Sequence, residues 1–242
     1  MPNPTAAMLV IGDEILSGRT RDSNMNHLAI QLTAHGVDLK EARMVADDHP
    51  RIVEAVRALS SHYDHVFTSG GIGPTHDDIT ADAIAEAFGD RIDVREDARA
   101  LLAEHYARTG RELNAARLRM ARIPDSAALI ENPVSIAPGF TIGNVHVMAG
   151  VPSVFEAMVA SVLPTITGGA PLVSESLRVD RGEGDIAQAL GDLAARYPDV
   201  SIGSYPFLLD GRHGSNIVFR GADGARVRSA LAELAALMGE PE

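Results

Sequence analysis

Apolar residues recur along this chain at two spacings, and the switching between them predicts most of the fold. Ala6 to Ile11 is an unbroken apolar run that stops at Gly12-Asp13-Glu14, the pattern of a strand buried on both faces and ending in a polar turn. After a loop from Ser17 to Asn24, with Asp22 or Ser23 as N-cap, Met25, Leu28 and Leu32 mark one face of a helix that stops at Gly36. Val37 to Val45 supplies a second strand. Asp47-Asp48-His49-Pro50 then caps another helix, with Pro50 near its first position and Ile52, Val53, Val56 and Leu59 as its buried stripe. His65-Val66-Phe67 is a short buried strand, and Ile79 to Phe88 a helix with Ala81, Ile84 and Phe88 inward and Gly89 as its stop. This β-α-β-α-β-α order predicts a parallel sheet with helices on both faces, with ligands bound beyond the carboxyl ends of the strands.

Further on, Arg95 to Met120 is helical, with Ala98, Leu101, Leu102 and Tyr106 on one side and a break near Gly110. Asn132-Pro133-Val134-Ser135-Ile136-Ala137-Pro138-Gly139 is too rich in proline for regular structure. Phe140 to Ile142 and Val145 to Met148 form a hairpin across Gly143-Asn144. Gly150-Val151-Pro152-Ser153 opens a helix with Phe155, Met158, Val159 and Val162 inward. Thr167-Gly168-Gly169-Ala170-Pro171 is the best linker in the chain, placing one domain at 1–167 and a second at 172–242. In the second, strands at Ser176 to Val179, Val200 to Tyr205 and Ser215 to Phe219 join helices at Ile186 to Arg196 and Arg226 to Leu237. The first helix points Ile186, Leu190 and Leu193 inward, the second Val227, Leu231, Leu234 and Leu237. That β-α-β-β-α order is a small α+β module, with Asp210 and His213 as solvated residues of a hairpin loop.

Composition narrows the function. A hydrophobic share of 45% over 242 residues gives ample length for a core. Net charge is −12 with no long Lys/Arg run, so nucleic acid is not the expected partner. No apolar stretch has the length of a membrane span, and Met1-Pro2-Asn3-Pro4 lacks a signal-peptide form, so the expected location is cytoplasmic with no membrane partner. The chain has no cysteine, which excludes disulfides, thiolate metal sites and a cysteine nucleophile.

The densest chemistry lies in Thr68-Ser69-Gly70-Gly71-Ile72-Gly73-Pro74-Thr75-His76-Asp77-Asp78-Ile79-Thr80. A strand runs into a glycine turn and then into a helix start. Glycines let the backbone approach a ligand, and free N–H groups at the helix start favour an anion such as phosphate. Two carboxylates in the same turn would repel a bare phosphate, and a divalent cation between them reconciles the two. The bland alternative is a tight turn in which the Asp pair only caps the helix. Glu14, Asp47 and Asp78 all follow strand ends, which makes them candidates for one site.

With these residues in view, the chain resembles the N-terminal region of the competence/damage-inducible protein A family, within the wider group sharing the molybdopterin-binding fold. The resembling residues are Ile11 to Gly18, Asp22-Ser23-Asn24, Asp47-Asp48, the Gly70 to Thr80 loop, Asn132-Pro133 to Phe140, and Gly150-Val151-Pro152, in the expected order. The resemblance implies a three-layer α/β domain with a mostly parallel sheet, followed by the small α+β module. It implies metal-dependent hydrolysis of nucleotide diphosphates such as ADP-ribose, with Glu14, Asp47 and Asp78 at catalytic positions. Asp77 and Asp78 would hold the metal: Mg²⁺, Mn²⁺ or Co²⁺, with potassium a further candidate ion. By the same resemblance the substrate is held by Gly12, Asp13, Asn24, Ser69, Gly70, Gly71, Gly73, Pro74, Thr75, His76, Asn132, Pro133 and Gly139, and the protein is a homodimer. Three departures stand out. His76 replaces a usual lysine, Ser135-Ile136 a usual Gly-Thr, and Met148-Ala149 a usual Leu-Pro. Two readings of function stay open: a nucleotide pyrophosphatase, or a nucleotide or pterin binder without hydrolase activity.

Overall fold

The computed structural model describes residues 3–209 and 211–239. The chain divides into two compact units, Met1–Gly169 and Ala170–Glu242. In chain order the first contains β1 (Thr5–Ile11), α1 (Asp13–Leu16), α2 (Asn24–His35), β2 (Asp38–Val45), α3 (His49–Ser60), β3 (His65–Ser69), α4 (Thr80–Phe88), β4 (Ile92–Val94), α5 (Glu96–Arg108), α6 (Ala115–Leu118), β5 (Arg122–Pro124), β6 (Ala128–Ile130), β7 (Gly139–Ile142), β8 (Val145–Met148) and α7 (Pro152–Val162).

Six strands form one sheet in the order β2-β1-β3-β8-β7-β6. The first four are parallel, and β7 and β6 run antiparallel to their neighbours. Side-chain alternation explains why β1 is apolar throughout. Ala7, Leu9 and Ile11 face α3, α4 and α5, packing with Ile52, Val56, Ile84 and Leu102. Ala6, Met8 and Val10 face the other way, against Leu28 and Leu32 of α2 and Phe155, Met158 and Val162 of α7. A strand covered on both faces has no position for a polar residue. The result is the expected three-layer α/β architecture, with the carboxyl ends of β1, β2, β3 and β8 at one edge.

Several sequence expectations shift by one helical position. Asn24, not Met25, continues the Leu28–Leu32 stripe, because four-residue spacing puts 24, 28 and 32 on one face; Met25 is exposed. Leu101 is likewise exposed beside buried Ala98 and Leu102, and Phe88 is partly exposed at the glycine-capped end of α4. The predicted helix from Arg95 to Met120 ends at Arg108, and a loop and the one-turn α6 take up the rest. Strands β4, β5 and β6 were not visible in the pattern, since three residues are too few to show a period of two.

The second unit contains β9 (Val173–Val179), α8 (Glu183–Arg196), β10 (Ser201–Leu209), β11 (Arg212–Gly221) and α9 (Gly224–Met238). Its antiparallel sheet runs β10-β11-β9, and Ile186, Leu193, Val227 and Leu234 of the two helices pack on Val179, Ile217 and Phe219. Leu237 is exposed, since the buried stripe of α9 is Val227, Ala230, Leu234 and Met238. His213 lies inside β11, paired with Leu208, rather than in a loop. Asp210 falls outside the described residues.

Candidate functional site

Three sheet ends and two loops build one cleft of about 690 Å³ in the first unit. Gly12 and Glu14 come from the turn after β1, Asp47 from the turn after β2, and Gly70, Gly71, Gly73, Pro74, Asp77 and Asp78 from the turn after β3. Asn132 and Ser135 close one side, Gly150 to Pro152 another. A volume of that size suits a nucleotide-sized ligand.

The glycine turn is dictated by crowding. At Gly70, with φ +112°, a side chain would meet the carbonyl oxygen of Ile11 at 2.1 Å, and at Gly71, with φ +69°, it would meet Thr80 Oγ1 at 2.1 Å. At Gly70 no residue with a Cβ fits without moving backbone, and at Gly71 the positive φ and the Thr80 side chain both disfavour one. The turn is then tied down by its own groups. Thr80 N–H donates to the Gly71 carbonyl at 2.9 Å. The Thr75 amide and hydroxyl both donate to Asp78 Oδ2, at 2.7 and 2.6 Å. Because the loop between Gly71 and Thr80 is irregular, Asp77 and Asp78 both reach the cleft although they are adjacent.

Electrostatically the cleft is one-sided. Glu14, Asp47, Asp77 and Asp78 line it, and no lysine, arginine or histidine does among the described residues. Asp47 feels this most. Its pKa is raised, first by partial burial and then by the charges of Asp13, Glu14 and Asp77, against the hydrogen bond it accepts from the Asp13 amide at 3.0 Å. Asp77 is held below the usual carboxylate range, chiefly by the Thr75 hydroxyl and in lesser part by His76. The same hydroxyl lies 2.6 Å from Asp78 Oδ2, so the two carboxylates share one donor. Ile72 of the glycine loop, Met120, Val151 and Val154 add apolar lining to the same cleft, with Val151 60% exposed.

The remaining positions expected to hold substrate sort into three places. Asn24 and Ser69 sit in a smaller adjoining pocket of about 50 Å³, where Asn24 Nδ2 donates to Ser69 Oγ and to the Gly150 carbonyl, each at 2.8 Å. Asn24 Oδ1 is buried there without a partner. Asp13 meets the cleft only through its amide to Asp47, and Thr75 through its bonds to Asp78. Away from the cleft wall stand His76, Pro133 and Gly139. The His76 side chain is 99% exposed, with Nδ1 3.8 Å from Asp77 Oδ1. Pro133 is exposed. Gly139 starts β7, where a Cβ would meet the Val147 carbonyl at 2.4 Å; close strand packing accounts for it. Asn132 lines the cleft but spends its side chain on its own loop. Its Oδ1 accepts from the amides of Val134 and Ser135, and its Nδ2 donates to Ser135 Oγ and the Ala137 carbonyl.

Two further contributors were given no role by the sequence. The hydroxyl of fully buried Thr80, at the end of the glycine stretch, lies under Gly71 with no partner. Arg119, behind the loop, donates from Nη2 to the Asp78 carbonyl at 3.3 Å across forty-one residues of chain, a separation no local pattern reports.

A glycine loop and carboxylates gathered at the ends of parallel strands define the class: a ligand-binding α/β protein of the molybdopterin-binding type. Residues 7–168 match the family model described as a probable molybdopterin binding domain, and residues 171–241 match the FAD synthase middle domain. The chain belongs to the first of these families, in the branch similar to protein CinA. A structure titled as protein CinA with unknown function, from Thermoplasma acidophilum, is 36% identical, covers 66% of this chain and 98% of its own, and has a TM-score of 0.61. A protein of Archaeoglobus fulgidus is 32% identical over 96% of this chain and 97% of its own length. A probable FAD synthase of Caenorhabditis elegans is 36% identical over 84% of this chain, which spans only 44% of that protein's length. No helix among the described residues is long and apolar enough to cross a membrane.

Proposed function

We propose that the cleft binds a nucleotide diphosphate such as ADP-ribose through a divalent cation and hydrolyses its pyrophosphate link. The observation that carries this is the meeting of four carboxylates, a glycine loop and apolar side chains in the lining of one cleft. The apolar lining suits a planar base, and the carboxylates suit a hard cation carrying phosphate oxygens. The carboxylates supply the oxygen donors that Mg²⁺, Mn²⁺ or Co²⁺ takes, with Asp77 and Asp78 as the holding pair and Glu14 beside them. Among the described residues no three acids or histidines cluster closely enough to hold an ion by themselves. Water and ligand phosphates complete the coordination, as is usual for Mg²⁺. When bound, the ion neutralises phosphate charge and acidifies the attacking water.

The chain's own groups do the rest. The loop amides present N–H groups to phosphate. Asp47, with its raised pKa, is the best placed proton acceptor, since a base gains proton affinity as its pKa rises. Water oxygen bonds to one phosphorus as the bridging P–O bond breaks. The water's proton passes to Asp47, and the other phosphate leaves, yielding AMP and ribose 5-phosphate from ADP-ribose. The test is AMP release from ADP-ribose with each of the three ions, in buffer with and without potassium, for wild type and Asp47→Asn. The expected result is ion-dependent release that the variant loses.

In a second reading the cleft, whose described residues include no three-ligand metal cluster, holds a nucleotide or pterin without hydrolysing it. The names of the similar proteins, a molybdopterin binding domain and an FAD synthase, support a ligand of this class. Tight binding of either ligand with no AMP under any ion decides for it.

A further inference from the structure

The cleft wall carries four acids and no cation, yet arginines stand directly behind it. Arg119 and Arg122 face the back of the glycine loop across a gap of about 20 Å³, shared with Gly71, Gly73, Asp78 and Asp82. The two arginines differ in one respect. Arg122 is ion-paired with Asp82, so its charge is cancelled locally. Arg119 has no carboxylate partner among the described residues. Its Nη2 donates to the Asp78 carbonyl at 3.3 Å, and its Nε is buried with no acceptor. Neutral carbonyls do not cancel a charge, and a half-sheltered guanidinium without a counter-ion is costly unless an anion arrives nearby. The gap is wide enough for one water and too small for a phosphate. Arg119 therefore acts on a ligand through the loop rather than by touching it.

We propose that Arg119 is the positioning residue of the glycine loop: it fixes the Asp78 carbonyl and so the peptide leading into α4, and it supplies the fixed positive charge that lets an acid-lined cleft accept the phosphates of a nucleotide. His76, on the solvent side, is not placed to do this. The proposal rests on the nucleotide-binding reading above, though not on hydrolysis.

Its signature is a split in sign. Removing a cation beside four carboxylates strengthens attraction for a bare divalent ion and weakens it for a phosphate anion. In Arg119→Met, titration calorimetry is expected to show ADP affinity in Mn²⁺ reduced on the order of tenfold, the scale of a unit charge acting on a phosphate across partly screened protein. Mn²⁺ alone binds severalfold more tightly. Arg119→Lys keeps the charge and restores most of the ADP affinity, and the double variant Arg122→Met with Asp82→Asn, which removes a whole ion pair and no net charge, gives no split. A purely structural arginine would weaken both ligands together and lower the melting temperature, and that pattern, or no change at all, overturns the proposal. Wild type that binds ADP and shows the split but releases no AMP from ADP-ribose leaves Arg119 in this role and removes only the hydrolase.

Discussion

Strand β3 joins two regions that treat charge in opposite ways. Toward its start, the His65 ring stacks on His146 at 5.5 Å between centroids, and the Phe67 ring lies tilted against His146 at 4.8 Å. His146 Nε2 lies 3.3 Å from His65 Nδ1, and its Nδ1 lies 3.0 Å from Thr141 Oγ1. At its end, β3 runs into Gly70 and the four carboxylates of the cleft. Inside the sheet, where water is absent, the ionisable group gives up its charge. At the open mouth, solvent lets like charges accumulate. One strand thus shows that titratable groups gathered in a fold are structural where all their hydrogen bonds close on one another, and functional where charge is left over.

The largest effect expected lies at the histidine end. Burial first, and then the charge of His65, push the His146 pKa down to about 4. Burial also lowers that of His65, with His35 adding in the same direction and Asp64 opposing. The unfolded chain has ordinary histidines near pKa ~6.5. It therefore takes up protons that the folded chain refuses, and stability falls as pH drops from about 6.5 towards 4, while it is flat above. The loss from His146 alone is about 3 kcal/mol. Urea unfolding at pH 7.5 and at pH 4.5 measures it, and His146→Phe, similar in volume and unable to titrate, is expected to lose most of the slope. An unchanged slope in that variant would erase the contrast between the two ends.

How far this contrast could be read beforehand differs between the ends. The glycine loop and the acids after β1, β2 and β3 were legible, because a strand–glycine–helix junction and carboxylates at strand ends lie close together in sequence. The helical stripes were legible except where one turn of uncertainty moved a residue out, as for Met25 and Leu101. The histidine pair was not legible: His65 and His146 are brought together by parallel pairing of β3 with β8, with Phe67 opposite His146, and no local pattern encodes that register. Arg119 was hidden for the same reason. For His76 the sequence suggested a phosphate contact, and the turn that brings Asp77 and Asp78 to the cleft leaves its side chain in solvent.

The intermediate effect is at the acidic end, where the two adjacent aspartates are expected to part company. Asp78 accepts two bonds from Thr75 as well as lining the cleft, so Asp78→Asn disturbs loop shape and charge together. Among ion pairs of the described residues, Asp77 has only the exposed, loose contact with His76. Mn²⁺ affinity is expected to fall on the order of tenfold in Asp78→Asn, and about threefold in Asp77→Asn, where a charge alone is lost. Calorimetric titration of the two proteins decides the ranking. Equal losses would mean that the Thr75 bonds contribute nothing to the site.

The smallest effect is the sharpest test of what leftover charge means. A carboxylate whose pKa is raised in the folded state opposes folding once it ionises, so Asp47 weakens the ion-free protein at neutral pH and ceases to do so as pH falls through the carboxylate range. Asp47→Asn keeps an oxygen that can accept the Asp13 amide and removes the charge. The ion-free variant is expected to be more stable than wild type at pH 7.5, by less than about 1 kcal/mol, the usual size for a solvent-screened charge. With Mn²⁺ the order reverses, because wild type gains binding free energy that the variant forgoes. The measurement is thermal unfolding of both proteins with chelator and with Mn²⁺. A variant less stable in both conditions would make Asp47 a structural acid like Asp64, which spends its carboxylate on the amide and hydroxyl of Thr5. The crossing of the two orders is what distinguishes a charge kept for a ligand from one absorbed by the fold.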